Sequence, residues 1–509
     1  MKLRSFPLYS NLLAIFVNQA HARARVLNFQ KILAIGTGCL FSLLAHSSTL
    51  TDSTLVNTSS IVSSDKGAAY FITSKSTNAE GKVRTLGIAN NDMAPYLEPQ
   101  YYDWLNQHFD AMQVYSPWFD DITEFYGNGY VYKDLYAIYD CRLARNPADD
   151  LVSPDAPNSI CAGDNQANLL GLYEAAMQAE NDPAAADWIL KDNDGNRLYI
   201  PFRDPHDRLT QFAADIRNPA FRQFWLSQMT SVLTSANGVP LDYRGIFVDD
   251  VNMDLEKSIS NDTCRLIDVP SNPDCNWSTD ISAVEWADSL VTFVQAIRAT
   301  FPSHEIIHNS VWFHTAAGES YVNAQIAAAD IISIERGVHD PGLNANIMPA
   351  FFAFNDKVHK LGRRISHYIH VYGVDLYGVL GQLRELEHGL AGWLLVSNGN
   401  DLYGADRFVH PGNWWEGFDV DLGEATTPRY ITDDGLYRRD FTSGTVLLNP
   451  TAATPSATAV HISLPGYFRT LNGDCLNEVT LPPASGRVLF TASSCTPTYN
   501  THFTSRRTQ

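Results

Sequence analysis

The chain has 509 residues, too many for one small domain and about right for a large barrel plus an accessory domain. Its composition, 45% hydrophobic and 18% charged, is that of a globular protein, and aromatics reach 11%. A formal net charge of −20 argues against nucleic acid and against adhesion to anionic lipid, because an acidic surface repels phosphate.

The first 47 residues hold five Lys/Arg and no acid, so taking that +5 from −20 leaves −25 on the rest. Arg23, Arg25 and Lys31 precede the apolar run Ile32 to Ala45, and Ala45 and Ser47 offer a cleavage site. Residues 1–47 therefore read as a leader for export, to the periplasm or the medium. The apolar stretch Leu12 to Val17 lies before the basic one, so the leader is unusually long or the start lies downstream of Met1. Cys39 is a poor lipid-attachment site, since Gly36 stands where a larger aliphatic residue is wanted. Residues 48–64, rich in Ser and Thr, read as a linker, and no later segment is long and apolar enough to span a bilayer.

From 65 to 426 short apolar runs alternate with longer amphipathic ones. The expected strands are Ala69–Thr73, Ala111–Tyr115, Leu135–Tyr139, Gly245–Asp249, Glu305–Asn309, Asp330–Glu335, Ile365–Val371 and Gly392–Ser397. Unalternated runs separated by helices indicate a parallel sheet buried on both faces, and eight of them indicate a closed (β/α)₈ TIM barrel, an α/β fold. Asn218-Pro219 supplies a helix N-cap and a first-turn Pro, Ser282 precedes a second helix, and Asp375 leads into a third that Gly389 is expected to stop. A further helix is expected at about 165–179. Asp192-Asn193-Asp194-Gly195-Asn196 reads as a hairpin turn, because it lacks the distal Glu of a calcium loop.

After 427 the texture changes. Thr445–Leu448, Ala459–Leu464 and Arg487–Thr491 read as strands separated by Pro, Gly and Ser. A small antiparallel, sandwich-like β domain is expected over 427–497, with 498–509 as a tail. Cys141 and Cys161, Cys264 and Cys275, and Cys475 and Cys495 form three sequence-local couples. None has zinc spacing, so they read as loop disulfides formed in an oxidising compartment, and neither metal nor cofactor is expected.

In parallel barrels the site lies at the C-terminal ends of the strands. Glycoside cleavage needs two carboxyl groups there, one to protonate the leaving oxygen and one to attack the anomeric carbon or activate water. Asp249 and Glu335 end two strands with one strand between them, so both can face one pocket. Asp249 is the expected nucleophile or base and Glu335 the acid, although Arg336 favours the ionised form of Glu335 if it points inward. Asp250 points away from Asp249 in a regular strand and competes with it at an irregular strand end. Asp140, Asp215, Asp250, Asn309, Trp312, Tyr368, His370, Asn398 and Asp401 are the candidate substrate contacts. His308, His314, Asn400, Tyr403, Trp414 and Trp415 add polar groups and aromatic faces that suit a polyhydroxylated ring.

The runs Ala214-Asp215-Ile216-Arg217-Asn218-Pro219, Gly245-Ile246-Phe247-Val248-Asp249-Asp250 and Ala329-Asp330-Ile331-Ile332-Ser333-Ile334-Glu335 resemble the hypothetical glycoside-hydrolase-like family fifteen. They are more distantly similar to the endo-α-1,4-polygalactosaminidases. Trp188 with Asp192 to Asn196, and Arg439-Asp440-Phe441 with Gly444 to Pro450, fit the same pattern, which covers roughly 65 to 490. The resemblance implies a barrel with a strand-four Asp nucleophile, here Asp249, and a strand-six Glu acid/base, here Glu335. The polygalactosaminidase pattern has Asp-Asn where this chain has Asp249-Asp250, and Asp where it has Asn252. The expectation is a retaining glycoside hydrolase acting on a polysaccharide or oligosaccharide. The alternative is a carbohydrate-binding barrel of the cell envelope without catalysis.

Overall fold

The computed structural model describes residues 79–88, 93–115, 119–141, 169–201, 209–234, 238–255, 279–311, 318–340, 343–371, 378–451 and 456–495. The expected leader, linker and tail, the strand at 69–73, Cys39, Cys161, Cys264, Cys275, Trp312 and His314 lie outside the described residues. Among the described residues no helix is long and apolar enough to cross a membrane.

Eight parallel strands close into a barrel. In order around the ring they are β1 (Thr85–Ile88), β2 (Ala111–Val114), β3 (Gly129–Asp134), β6 (Gly245–Asp249), β7 (Glu305–Asn309), β8 (Ile331–Glu335), β9 (Arg364–Ile369) and β10 (Leu402–Ala405). Strands β4 (Ala137–Tyr139) and β5 (Gln211–Ala213) pair antiparallel outside the ring. Around the barrel lie α1 (Tyr102–His108), α2 (Leu172–Asn181), α3 (Pro219–Val232), α4 (Ala283–Thr300), α5 (Glu319–Ala328), α6 (Met348–Lys360) and α7 (Gly378–Leu394).

Local chemistry sets the helix starts. Asn218 Oδ1 accepts from the amides of Ala220 (2.9 Å) and Phe221 (3.4 Å), with Pro219 at the first helical position of α3. Ser282 and Glu285 form a reciprocal capping box on α4, whose buried stripe Trp286, Leu290, Phe293, Val294 and Ile297 repeats at helical spacing. The Asp192 turn is a hairpin: Lys191 bridges Arg197, Asp192 Oδ1 accepts from the Asp194 and Asn196 amides, and Gly195 takes a left-handed conformation.

Two strand expectations are corrected, and the ring closes without the segment at 69–73. The first described barrel strand is β1 at 85–88, downstream of 69–73. The third is Gly129–Asp134; Leu135–Tyr139 is buried by loop packing and only 137–139 forms a strand, outside the ring. The eighth is Leu402–Ala405, because Gly392 to Leu394 ends α7 and 395–397 is a turn. Residues 386–397 are buried all round between the barrel and the C-terminal sheet, which erases the helical alternation. Gly389 does not stop α7. A Cβ there would stand 2.7 Å from Ile369 Cγ1, so the glycine lets the helix press on the barrel.

The hairpin β11 (Val409–His410) and β12 (Asn413–Trp414) follows the barrel. After it, β13 (Tyr430–Ile431), β14 (Tyr437–Phe441), β15 (Gly444–Asn449), β16 (Val460–Arg469), β17 (Cys475–Leu481) and β18 (Ser485–Ala492) form one antiparallel sheet, in the order β13-β14-β15-β18-β16-β17. An irregularity between Ser463 and Phe468 bends β16 so that it pairs with both β17 and β18. Val446, Leu448 and Val488 join the barrel core, while Leu447, Leu489, Ile462 and Phe468 make a separate one. Arg439 Nη1 donates to the carbonyls of Leu394 (2.9 Å) and Ser397 (2.8 Å), satisfying the end of α7. The expected disulfide Cys475–Cys495 is present, and Cys141 is also disulfide-bonded.

Candidate active site

One residue from each barrel strand, Leu86, Ala111, Tyr130, Phe247, Ile307, Ile331, Tyr368 and Leu402, forms a buried cluster inside the ring. Below it, Glu305 accepts from Tyr130 (2.6 Å) and Arg244 (3.1 Å) and pairs with Arg364, closing the N-terminal end. Side chains two or four positions farther along the strands face the same interior at the other end. Those positions are Tyr132 and Asp134 on β3, Asp249 on β6, Asn309 on β7, Glu335 on β8, and His370 and Asp406 just past β9 and β10.

They form one hydrogen-bonded network. Asn309 Nδ2 donates to Asp249 Oδ1 (2.7 Å) and to Glu335 Oε2 (3.3 Å). Asp249 Oδ1 also accepts from the Asp250 amide (2.9 Å), and Oδ2 accepts from the Tyr132 hydroxyl (2.5 Å). The Tyr132 oxygen is also 2.9 Å from Asp134 Oδ1, and Tyr139 reaches in from β4 to donate to Asp134 Oδ2 (3.0 Å). On the other side, Glu335 Oε1 is 2.8 Å from His370 Nε2, and His370 Nδ1 is 3.4 Å from Asp406 Oδ2. Asp406 Oδ1 is fixed by the Val371 amide (3.1 Å).

The two ends of the network are electrostatically different. Burial raises the Asp249 pKa and the charge of Glu335 adds to it, against the Tyr132, Asn309 and Asp250 donors. Burial, then the charge of Asp249, also pushes Asp134 up. For Glu335 burial acts upward too, but the bond to and charge of His370, then Arg336 (Nε to Oε1, 3.9 Å) and Asn309, outweigh it and hold the group at about 2. Burial would lower His370; its bonds to Asp406 and Glu335 instead raise it to about 9. Glu335 packs among these groups yet keeps 45% of its side-chain surface open. Asp250 is left-handed (φ 58°), so the strand does break its alternation there, and burial and the charges of Asp249, Asp134 and Glu335 raise its pKa well above the ordinary value.

Asp249, Asp250, Asn309, Glu335 and His370 are thus brought together, and Tyr368 packs beneath His370 with its ring edge-on at 5.5 Å. Other candidates lie elsewhere. Asp401 and Asn398 precede β10 instead of following a strand, so they sit at the opposite end of the barrel. Asp401 there is fully buried and bonded to His359 and the Ile365 and Asn398 amides. The side chain of Asn398 accepts from the Asn400 amide in the same turn. Asp215 is held by Arg217 (2.9 and 2.8 Å), and Asp140 follows β4, outside the ring. His308 and Tyr403 point outward and are fully buried. Trp415 is buried, and Trp414 packs edge-on to Trp104 and Phe418 at an angle. Tyr132, Asp134, Tyr139 and Asp406 were not singled out in the sequence. The signal for Asp134 and Asp406 was an apolar or aromatic run ending in Asp, hidden by the misplaced third and eighth strands. Among the described residues no group of three or more His, Cys, Asp or Glu is arranged to hold a metal ion.

No curated protein matches the chain. Among solved structures it is similar to the glycoside hydrolase domain of PelA from Pseudomonas aeruginosa, at 9% identity over 65% of this chain and 97% of that one (TM-score 0.35). It is also similar to a family-27 β-L-arabinopyranosidase from Geobacillus stearothermophilus, at 10% identity over 82% and 97% (TM-score 0.38). A third is the cyclic α-maltosyl-(1→6)-maltose hydrolase from Arthrobacter globiformis, at 13% identity over 81% and 99% (TM-score 0.35). The family model described as hypothetical glycosyl hydrolase family 15 matches residues 163–445, a span that holds Asp249, Asn309, Glu335, His370 and Asp406 of the network but not Tyr132, Asp134 and Tyr139. With more than half of its length so matched, the chain belongs to hypothetical glycosyl hydrolase family 15.

Proposed function

We propose that this glycosidase cleaves a polysaccharide or oligosaccharide with retention of anomeric configuration, using Asp249 as nucleophile and Glu335 as acid/base. The observation that carries the reading is the Asn309 amide, bonded at once to Asp249 and Glu335. Two oxygens that lie 2.7 and 3.3 Å from one nitrogen are at most the sum of those distances, 6.0 Å, apart. That bound, which applies to the nearer oxygen of each group, is compatible with the roughly 5–5.5 Å spacing of retaining pairs and excludes the wide end of the roughly 6.5–9.5 Å range of inverting ones.

In the first step Glu335 gives a proton to the glycosidic oxygen while Asp249 attacks the anomeric carbon, and the bond to the leaving sugar breaks. In the second, Glu335 takes a proton from water, the water oxygen bonds to the anomeric carbon, and Asp249 departs as carboxylate. Its neighbours hold Glu335 ionised, so the proton it needs is held on His370, 2.8 Å away. The two groups share one proton, and transfer from Nε2 to Oε1 loads the acid.

The Cys475–Cys495 disulfide supports an oxidising compartment, and with the basic–apolar N-terminus it favours a secreted or periplasmic protein. The division into a leader over 1–47, a linker over 48–64, a catalytic barrel over 65–426 and a C-terminal β domain over 427–497 is part of the same reading. The test is reducing-end release from a panel of polysaccharides, galactosaminoglycan included, by the wild type, Asp249→Asn and Glu335→Gln. Loss in both variants with folding unchanged supports the pair; activity indifferent to both rejects it.

A further inference from the structure

Tyr132 places one hydroxyl between two carboxyl groups, 2.5 Å from Asp249 Oδ2 and 2.9 Å from Asp134 Oδ1. A phenol has one proton to donate, and an ionised carboxylate has none. If both aspartates were ionised, one of these contacts would set lone pair against lone pair inside a buried site. One O–H shared between two ionised carboxylates would serve each poorly, whereas both contacts are full hydrogen bonds when one aspartate carries a proton and donates it to the phenol oxygen.

The geometry says which. The bond to Asp249 has the length of a charge-assisted O–H···O⁻ bond, roughly 2.5–2.7 Å, whereas the contact to Asp134 is longer, as between neutral groups. Asp249 collects three donors, from Tyr132, Asn309 and the Asp250 amide, and is half-buried. Asp134 is buried, and its Oδ2 accepts from Tyr139 at 3.0 Å, a bond that the carbonyl oxygen of a neutral acid receives equally well. An uncompensated charge belongs where donors and water are, not where they are lacking.

We propose that Asp134 is a positioning residue that works as a neutral carboxylic acid: its Oδ1–H donates to Tyr132, and Tyr132 donates to the nucleophile Asp249. The chain orients Asp249 Oδ2 and stabilises its charge when the carboxylate is released in the second step. This rests on Asp249 as the nucleophile, but the state of Asp134 can be read without activity.

The experiment uses the full chain with Asp134→Asn, Asp134→Ala and Tyr132→Phe. Infrared difference spectra of wild type minus Asp134→Asn at neutral pH should show a protonated carboxylic acid carbonyl band that the variant lacks. In Tyr132→Phe the band should remain and shift, because the acid has lost its acceptor. In turnover, Asp134→Ala and Tyr132→Phe should be about ten- to a hundredfold slower, the usual cost of losing a bond to a charged group. Asp134→Asn should recover most of that loss, since the amide N–H replaces the acid O–H. A spectrum without the band, or an Asn variant as slow as Ala, overturns the proposal. If Asp134→Asn does not fold, the shift in Tyr132→Phe decides alone. Full activity in Asp249→Asn beside an intact carboxylic acid band would reject the nucleophile and leave the protonation of Asp134 standing.

Discussion

His370 Nε2 and Glu335 Oε1 stand 2.8 Å apart at the ends of adjacent barrel strands, and Asp406 holds the imidazole from behind. In the proposed mechanism the pair lets a carboxyl held at about 2 act as an acid near neutrality, with the proton waiting on a histidine raised to about 9. Activity on natural linkages should therefore fall as pH rises through about 9. In His370→Gln the fall should begin at lower pH, with kcat down about a hundredfold. Aryl glycosides, whose leaving groups need little protonation, should be much less affected. pH–rate profiles on both substrate types check this.

The same shifts fix the sign of a stability effect. His370 titrates higher in the folded chain than its ordinary 6.5, so its pairing contributes fully below pH 6.5 and is lost as pH rises through about 9. Glu335 titrates lower than its ordinary 4.5, so its contribution is present above that value and is lost as pH falls toward 2. The gap in urea midpoint between wild type and His370→Gln should be widest between about pH 4.5 and 6.5, and should close above 9.

Removing either carboxylate separates their roles. Asp249→Asn should lose at least about a thousandfold in kcat on every substrate, because the proposed nucleophile is gone. Glu335→Gln should lose about a hundred- to ten-thousandfold on polysaccharide and far less in glycosylation by activated aryl glycosides. Steady-state and burst kinetics on the two substrate types distinguish the variants.

Asp401 provides a contrast at the other end of the barrel. Its carboxylate joins His359 to the Ile365 and Asn398 amides and is fully buried. Asp401→Ala should cost about 3–5 kcal/mol of stability by leaving those groups unpaired, while KM stays unchanged in the folded fraction. Denaturant unfolding and KM check the two halves of that statement.

Asn218 is a cap with two jobs: its Oδ1 accepts from the start of α3, and its Nδ2 donates to the Ala186 (3.1 Å) and Asp187 (2.9 Å) carbonyls. Asn218→Ala should lower stability by about 1–2 kcal/mol, with Asn218→Asp recovering only the cap. Thermal unfolding measures both.

Where a barrel strand is apolar on both faces, as in Ile331 to Ile334 or Gly245 to Val248, its place and its terminal carboxylate are legible in the sequence. Strand β3 is not, because its interior face carries Tyr130, Tyr132 and Asp134 and the more apolar segment beside it, 135–139, lies outside the ring. The end of α7 mimics a buried strand because packing on two sides removes its polar face. That single displacement moved Asp401 and Asn398 to the wrong end of the barrel and hid Asp406. The bridging of two carboxylates by Asn309 depends on strand register, which no local pattern encodes.

The central claim is that Asp249 attacks the sugar, and the anomeric configuration of the first product tests it most directly. Proton NMR should be recorded during the first minutes of cleavage of the polysaccharide that the wild type hydrolyses best. The account predicts that the new reducing end carries the configuration of the bond that was cut, before mutarotation. The opposite anomer would contradict it, making Asp249 a base for water and not a nucleophile.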